Sequence, residues 1–200
     1  MQIIDSLTTL TALYDQPSPL SLTKVARALT PRYRDWISAS RFCILSTVGP
    51  DGTDASPRGD DGPVVRIVDD HTLWLPDWRG NNRLDCLRNI VTDGRVSLMF
   101  MVAGSSNVVR INGQAVLTDD PEITATFTQD GKHPKLVVVI SLHEIYFQCA
   151  KAIMRAGLWS GQSAPANLPK AGQFLREMDR EIDDEAYDST YPTEAAKRMW

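Results

Sequence analysis

Short apolar segments separated by turn-forming residues recur about every ten residues through the middle of the chain. Six or seven of them have the length and alternation of β-strands, and few long helical patterns lie between them. These segments are residues 41–48, 64–68, 71–76, 95–102, 108–117 and 136–150, and residues 53–60 are predicted to form a weaker, polar strand. The pattern predicts a mainly β (α+β) fold, an antiparallel barrel with peripheral helices, whose last strand is interrupted by a bulge near His143 or Glu144.

The segments that flank these strands have a different character. Ser21 is predicted to cap a first helix, and Thr30 with the following proline is predicted to begin a second. Residues 156–170 contain glycine, proline and serine and are expected to form a loop, and residues 174–185 are expected to form one acidic amphipathic helix. The chain therefore divides into an N-terminal arm with helices at 1–40, the barrel domain at 41–155, and a C-terminal loop and helix, packed on the same domain, at 156–200.

Charge and hydropathy narrow the range of partners. The formal net charge of −4 and the sequence pI of about 5.4 argue against a nucleic-acid surface, which would normally carry a basic patch. No apolar run approaches the roughly 20 residues that span a bilayer. No basic segment of the kind that opens a secretory signal is visible near Met1. We therefore expect no nucleic-acid partner, no membrane partner and a cytoplasmic location.

Cysteine and histidine show no metal-binding pattern. The three cysteines lie in apolar contexts without Cys-x-x-Cys spacing, and the three histidines form neither His-x-His nor His-Glu-x-x-His. Free cysteine in an apolar context usually behaves as a small buried hydrophobic residue. The sequence therefore predicts structural thiols and no metal site.

A loop that contains Gly80, Asn81, Asn82 and Arg83 separates the segment 71–76 from a helical pattern. Asn81 or Asn82 is predicted to be the N-cap of that helix, because a short side-chain oxygen can accept a hydrogen bond from an unpaired backbone N–H group. Apolar residues then recur at helical spacing, at Leu84, Leu87, Ile90 and Val91.

The start of this predicted helix suits a phosphate group. The first N–H groups of a helix have no internal partners, and the helix dipole places partial positive charge there. Arg83 adds a planar fork of donors that matches phosphate, and Gly80 would let the backbone approach a ligand closely. An ordinary capped helix with solvated arginines stays open as the alternative, because Gly-Asn-Asn-Arg matches no established phosphate-loop motif.

Several segments together resemble a known family. They are Phe-Cys-Ile-Leu-Ser-Thr-Val-Gly-Pro-Asp-Gly-Thr-Asp-Ala-Ser-Pro-Arg-Gly-Asp at 42–60, Leu-Pro-Asp-Trp-Arg-Gly-Asn-Asn-Arg-Leu-Asp-Cys-Leu-Arg-Asn-Ile at 75–90, Arg-Val-Ser-Leu-Met-Phe at 95–100, Arg-Ile-Asn-Gly at 110–113 and Tyr-Phe-Gln-Cys-Ala-Lys-Ala at 146–152. Their order and spacing are similar to those of the pyridoxamine 5′-phosphate oxidase-related proteins, within the FMN-binding split-barrel group. The resemblance covers roughly residues 14–159.

This resemblance implies a six-stranded antiparallel split barrel that works as a homodimer, with FMN in a cleft between the subunits. It places the FMN phosphate at the loop and helix start, and it implies eight cofactor-binding residues: Ser56, Arg58, Gly59, Asn81, Asn82, Arg83, Lys151 and Trp159. In relatives the tryptophan that corresponds to Trp159 comes from the partner chain.

Ordinary structural roles remain as alternatives for several of these residues. Arg58 could simply pair with Asp60 or Asp61. Lys151 could be an exposed side chain at a strand end, and Trp159 could be ordinary packing.

The resemblance further implies an FMN-dependent oxidoreductase that transfers a hydride through the flavin, with an unknown small-molecule substrate or a nicotinamide donor. No side chain stands out as an acid or a base, so no catalytic residue is named. The alternatives are a non-catalytic flavin-binding or sensing module, or a relative that uses haem or a deazaflavin. Pyridoxamine phosphate oxidases carry an Arg-x-His pair that holds the substrate, and none occurs here. We therefore expect little or no oxidation of pyridoxamine phosphate.

Overall fold

Seven β-strands form one antiparallel sheet in the computed structural model, which describes residues 1–200. Along the chain the strands are β1 (Phe42–Gly49), β2 (Gly52–Gly59), β3 (Arg66–Ile67), β4 (Thr72–Pro76), β5 (Arg95–Met101), β6 (Val108–Thr118) and β7 (Val137–Gln148). Hydrogen-bonded neighbours follow the order β2-β1-β5-β6-β7-β4-β3. The predicted mainly β architecture is confirmed, with seven strands where the resemblance implied six.

Eight helices surround this sheet. They are α1 (Leu7–Thr11), α2 (Pro19–Thr23), α3 (Pro31–Ala39), α4 (Asp85–Thr92), α5 (Pro121–Thr124), α6 (Lys151–Ala156), α7 (Ala171–Met178) and α8 (Asp184–Ala196). None of the eight is both long enough and apolar enough to cross a lipid bilayer.

The hydrophobic core lies on one face of the sheet because buried and partly exposed side chains alternate along its strands. In β5, for example, Val96, Leu98 and Phe100 are buried, whereas the residues between them are only half-buried. Helix α4 packs on this face through Cys86, Leu87 and Ile90. This packing fixes the position of α4, and with it the end of the loop that precedes the helix.

A β-bulge interrupts the pairing of β6 with β7. Asn112 lies opposite Glu144 and Gly113 lies opposite Leu142, so His143 is the extra residue on β7. The bulge predicted near His143 or Glu144 is confirmed. The register shift explains why the long apolar run at 136–150 does not alternate regularly through its whole length.

The first predicted helix is wrong in its position. Helix α2 begins at Pro19 with Ser18 as N-cap, and it ends at Thr23. Beyond it, the N–H of Ala26 donates to the carbonyl oxygen of Ile145 at 2.9 Å, and the N–H of Ile145 donates back to Ala26 at 2.9 Å. Pairing with β7 therefore outweighs the helical spacing of the apolar residues at 22–29.

The single C-terminal helix predicted at 174–185 is also wrong, because two helices, α7 and α8, occupy this region. Between them the side chain of Asp179 accepts a hydrogen bond from the N–H of Glu181 at 3.1 Å. The side chain of Asp183 accepts one from the N–H of Ala186 at 2.9 Å and so caps α8. Aspartates in this region form turns and caps instead of continuing the helix.

Candidate cofactor-binding cleft

A cleft of about 2,420 Å³ opens beside β2. Its walls are residues 54–61 on and after β2, residues 75–88 between β4 and α4, and residues 132–136 before β7. Pockets for small ligands usually measure about 300–1,000 Å³. The cleft is therefore large enough to accept a ligand of nucleotide size.

The structure brings six of the eight predicted cofactor-binding residues to this cleft. Ser56, Arg58 and Gly59 come from β2, and Asn81, Asn82 and Arg83 come from the loop before α4. These two groups are more than twenty residues apart in the chain. Folding therefore brings the two groups to one cleft, and their role in cofactor binding stays a prediction.

Lys151 and Trp159 do not line this cleft. Lys151 is the exposed first residue of α6. The indole Nε1–H of Trp159 donates to the backbone oxygen of Ser105 at 2.7 Å, which holds its ring against the turn between β5 and β6. A role for either residue in cofactor binding therefore requires a second chain and stays a prediction.

Arg58 is the most deeply placed cation of the cleft. Its Nη1 atom lies 2.6 Å from Oδ1 of Asp77, and the two side chains are each 19% exposed. Its Nε atom is buried and has no hydrogen-bond partner. Since an unmet buried donor is costly, this guanidinium is suited to an additional acceptor.

The two carboxylates considered as alternative partners of Arg58 are engaged elsewhere. Asp60 accepts hydrogen bonds from Trp78 and Gln129, and Asp61 pairs with Arg41. The alternative that Arg58 pairs with Asp60 or Asp61 is therefore wrong. The observed partner, Asp77, follows β4, which is not a neighbour of β2 in the sheet, so no local pattern could have identified it.

The predicted N-cap of the helix is wrong. Helix α4 begins at Asp85 with Leu84 as N-cap, and neither Asn81 nor Asn82 caps it. Asn82 and Leu84 adopt left-handed backbone conformations with φ of 60° and 63°, which keep the chain out of the helix. The Oδ1 atom of Asn81 instead accepts a hydrogen bond from the N–H of Arg83 at 3.1 Å, as in an Asx turn.

This geometry changes the predicted anion site. Asp85 places a carboxylate in the first turn of α4, where it already interacts favourably with the helix dipole. Its Oδ2 atom lies 2.9 Å from Nε of Arg83, whose side chain is 76% exposed. The helix start alone is therefore a weaker anion site than the sequence suggested, and Arg58 becomes the stronger candidate.

The cleft as a whole carries an excess of positive charge. Seven arginine or lysine residues and five aspartates line it. Three of the arginines are paired with aspartates, whereas four cations have no carboxylate within ion-pair distance: Arg79, Arg88, Lys132 and Lys135. In a protein with a formal net charge of −4, such a local excess attracts anions to the cleft.

The sequence patterns do not identify Lys132 and Lys135 as residues of this cleft. They belong to the sequence Lys-His-Pro-Lys, which lies just before β7 and could have been noticed as a basic cluster. Nothing in the sequence connects this cluster with residues 58 or 81–83. The connection is made by the pairing of β4 with β7, together with the hydrogen bond of 3.0 Å from the N–H of Asp77 to the carbonyl oxygen of Leu136.

The two buried thiols near the cleft are suited to a structural role. Burial raises the pKa of Cys86 to about 11, and its hydrogen bond to Oδ2 of Asp54, at 2.9 Å, contributes to the rise. Burial raises the pKa of Cys43 to about 12, although the positive charge of Arg58 partly opposes it. Both thiols are therefore protonated at neutral pH and are poor nucleophiles. No three His, Cys, Asp or Glu residues come together in a group that could hold a metal ion.

Comparison with known proteins identifies the family. Residues 29–149 match the family model described as pyridoxamine 5′-phosphate oxidase. This match covers more than half of the chain, so the protein belongs to the pyridoxamine 5′-phosphate oxidase family. The fold class expected from the sequence, a mainly β split barrel with peripheral helices, is confirmed. A search of curated proteins found no match.

Solved structures with a similar fold come from several bacteria. HupZ of Group A Streptococcus is 19% identical, with 58% of this chain and 91% of that chain covered and a TM-score of 0.48. A candidate pyridoxamine 5′-phosphate oxidase from Lactobacillus delbrueckii is 20% identical, with 60% and 95% covered and a TM-score of 0.49. An FMN-binding protein from Syntrophomonas wolfei is 14% identical, with 65% and 91% covered and a TM-score of 0.45. Because these values are low, the family assignment rests on the family model.

Proposed function

We propose that this protein binds FMN in the cleft beside β2 and works as an FMN-dependent oxidoreductase. The observation that carries the proposal is the position of Arg58, the least exposed cation of a cleft with excess positive charge, whose guanidinium is only partly hydrogen-bonded. A phosphate monoester meets both conditions, because it supplies oxygen acceptors and negative charge. Membership of the pyridoxamine 5′-phosphate oxidase family supports the same assignment.

In this proposal the residues on the two sides of the cleft contact different parts of FMN. Arg58, Arg83, Asn81 and Asn82 line the cleft, and their guanidinium and amide groups would hold the phosphate. Ser56 and Gly59 line it along β2 and would contact the rest of the cofactor. When it is bound, FMN supplies the redox chemistry by accepting a hydride and passing the electrons to a second substrate. The protein binds and orients the cofactor, and no side chain is assigned as an acid or a base.

The absorption spectrum of the purified protein tests this proposal. We expect flavin bands, with FMN as the flavin released on denaturation, and we expect anaerobic reduction of the bound flavin by NADH or NADPH followed by reoxidation in air. A haem or deazaflavin spectrum would refute the assignment of FMN. The protein could instead contain one FMN per chain that neither NADH nor NADPH reduces. That result would refute an oxidoreductase that uses a nicotinamide donor, and it would favour the non-catalytic flavin-binding or sensing module.

We also propose that the cofactor lies between the two subunits of a homodimer. The face of the sheet that points away from the core is apolar in part, with half-buried Ile44 on β1 and Met99 on β5. On β6 the Nε atom of Arg110, beside Met99, is buried without a partner. A second copy of the chain could cover this face and bring Lys151 and Trp159 to the opposite cleft.

Sedimentation of the flavin-loaded protein tests the dimer. We expect a single species of twice the mass of the chain at micromolar concentration, because obligate dimers typically bury about 2,000 Å² or more. Replacing Met99 with glutamate should shift the population toward monomer, since it places a charge in the apolar part of the interface. A stable, FMN-loaded monomer of the wild-type protein at the same concentration would contradict a site built from two chains.

A further inference from the structure

Two tryptophans meet at the edge of the cleft. The ring centroids of Trp78 and Trp200 are 5.3 Å apart with an interplanar angle of 76°, which is an edge-to-face arrangement. The Nζ atom of Lys132 donates a hydrogen bond to the backbone oxygen of Trp200 at 3.1 Å. Trp78, Lys132 and Trp200 all line the cleft. The segment that follows α8 is therefore attached to the cleft at two points.

Trp78 offers a fixed platform for this contact. Its Nε1–H donates to Oδ2 of Asp60 at 2.7 Å, and the other carboxylate oxygen of Asp60 accepts from the side chain of Gln129 at 2.6 Å. The carboxylate of Asp60 is thus fixed by two hydrogen bonds, one of which fixes the orientation of the Trp78 indole. A ring that is fixed before its partner arrives loses little entropy when the partner packs on it.

The segment that carries Trp200 is held more loosely. Helix α8 buries none of its residues. It packs on α7, where Nη1 of Arg176 lies 2.6 Å from Oδ1 of Asp184 and the N–H of Gly172 donates to Asp188 at 2.8 Å. A segment with few buried contacts can detach at a low cost in free energy. We therefore expect the contacts of Trp200 to form and break while the sheet stays folded.

We propose that Trp200 is a strap residue, which packs on Trp78 to close one side of the cleft and slows the release of the bound cofactor. This inference rests on the proposed function. With Trp200 in place, the cleft still measures about 2,420 Å³, well above the roughly 300–1,000 Å³ of a typical ligand pocket. Trp200 therefore forms a wall of the site and leaves the space for the cofactor free.

The rate of FMN release tests the strap. Flavin-loaded protein is diluted, and the recovery of free-flavin fluorescence is followed for the wild type, Trp200→Ala and Trp200→Phe. We expect release to be about two- to tenfold faster in Trp200→Ala, the range that corresponds to the loss of one aromatic pair. Trp200→Phe keeps an aromatic edge and should stay close to the wild type. Equal rates in the wild type and Trp200→Ala would overturn the proposal.

A second measurement needs no flavin. The indole N–H resonances of the flavin-free proteins are recorded by nitrogen-15 NMR, and the signal of Trp78 is assigned from its loss in Trp78→Phe. We expect this signal to shift in Trp200→Ala and to move much less in Trp200→Phe. An unchanged signal in both would show that Trp200 does not pack on Trp78, which overturns the strap.

The two measurements separate this inference from the proposed function. Wild-type protein that binds no FMN would refute the proposed function and the retention role together, whereas the NMR spectrum would still decide whether Trp200 packs on Trp78. Wild-type protein that binds FMN but releases it no more slowly than Trp200→Ala would refute the strap alone.

Discussion

Replacement of Arg58 with alanine is expected to weaken FMN binding by about 1.5–3 kcal/mol, or roughly 10- to 150-fold in Kd. The reason is that Arg58 is the most deeply placed cation of the cleft and that Asp77 accepts from only one nitrogen of its guanidinium. A hydrogen bond to a charged group gains strength when water is excluded from it. Riboflavin, which lacks the phosphate, should bind the variant almost as well as it binds the wild type. Titration of flavin-free protein, followed by flavin fluorescence, measures both affinities.

Matched variants show whether the loss of FMN affinity in Arg58→Ala comes from the position of this charge in the cleft or from a destabilised fold. Arg83→Ala should weaken FMN by only about 1 kcal/mol or less, because the exposed Arg83 is screened by solvent. Arg34→Ala removes another Arg–Asp pair, with Asp70, that does not line the cleft, and it should leave FMN affinity unchanged. Urea unfolding of each flavin-free variant shows whether the loss of Arg58 also destabilises the fold through Asp77. An FMN affinity of Arg58→Ala equal to that of the wild type would contradict this assignment.

Replacement of Gly113 with alanine is expected to destabilise the fold by about 3 kcal/mol or more, at the upper end of the usual cost of overpacking. A Cβ atom at Gly113 would lie 2.1 Å from the backbone oxygen of Ser141 and 3.1 Å from its carbonyl carbon. These are backbone atoms of β7, next to the bulge at His143, so the clash cannot be relieved by rotating a side chain. Urea unfolding of the flavin-free protein gives the free energy difference.

Gly80→Ala is the matched control for this change. A Cβ atom at Gly80 meets no atom within 4 Å, so its stability should stay within about 0.5 kcal/mol of the wild type. A Gly113→Ala protein as stable as Gly80→Ala would show that β6 and β7 are not paired in the observed register.

The strands could be predicted from the sequence because the alternation of apolar side chains is a local signal. The bulge at His143 was predicted for a similar reason, since it disturbs the longest apolar run. The first helix was not predicted correctly, because Ala26 pairs with Ile145, which is more than 100 residues away. The start of α4 was predicted too early, with Asn81 or Asn82 as N-cap, because Asn82 and Leu84 adopt left-handed conformations that residues other than glycine rarely take.

The candidate site was predictable only in part. The sequence indicated a candidate phosphate-binding loop from a glycine, two amides and an arginine, and the family resemblance added Ser56, Arg58 and Gly59. The pairing of Arg58 with Asp77 and the approach of Lys132 to Trp200 depend on sheet topology and on the packing of the segment after α8. Helical or strand periodicity in the sequence gives no indication that the residues in either contact are close together.

The proposed function requires that the cleft beside β2 binds the phosphate of FMN. The most direct test is a calorimetric titration of the flavin-free wild-type protein with FMN and with riboflavin under the same conditions. We expect one FMN site per chain and an affinity for FMN at least about tenfold above that for riboflavin, since the phosphate contributes at least one charged hydrogen bond. Equal affinities for the two flavins, or no binding of either, would contradict phosphate recognition by this cleft.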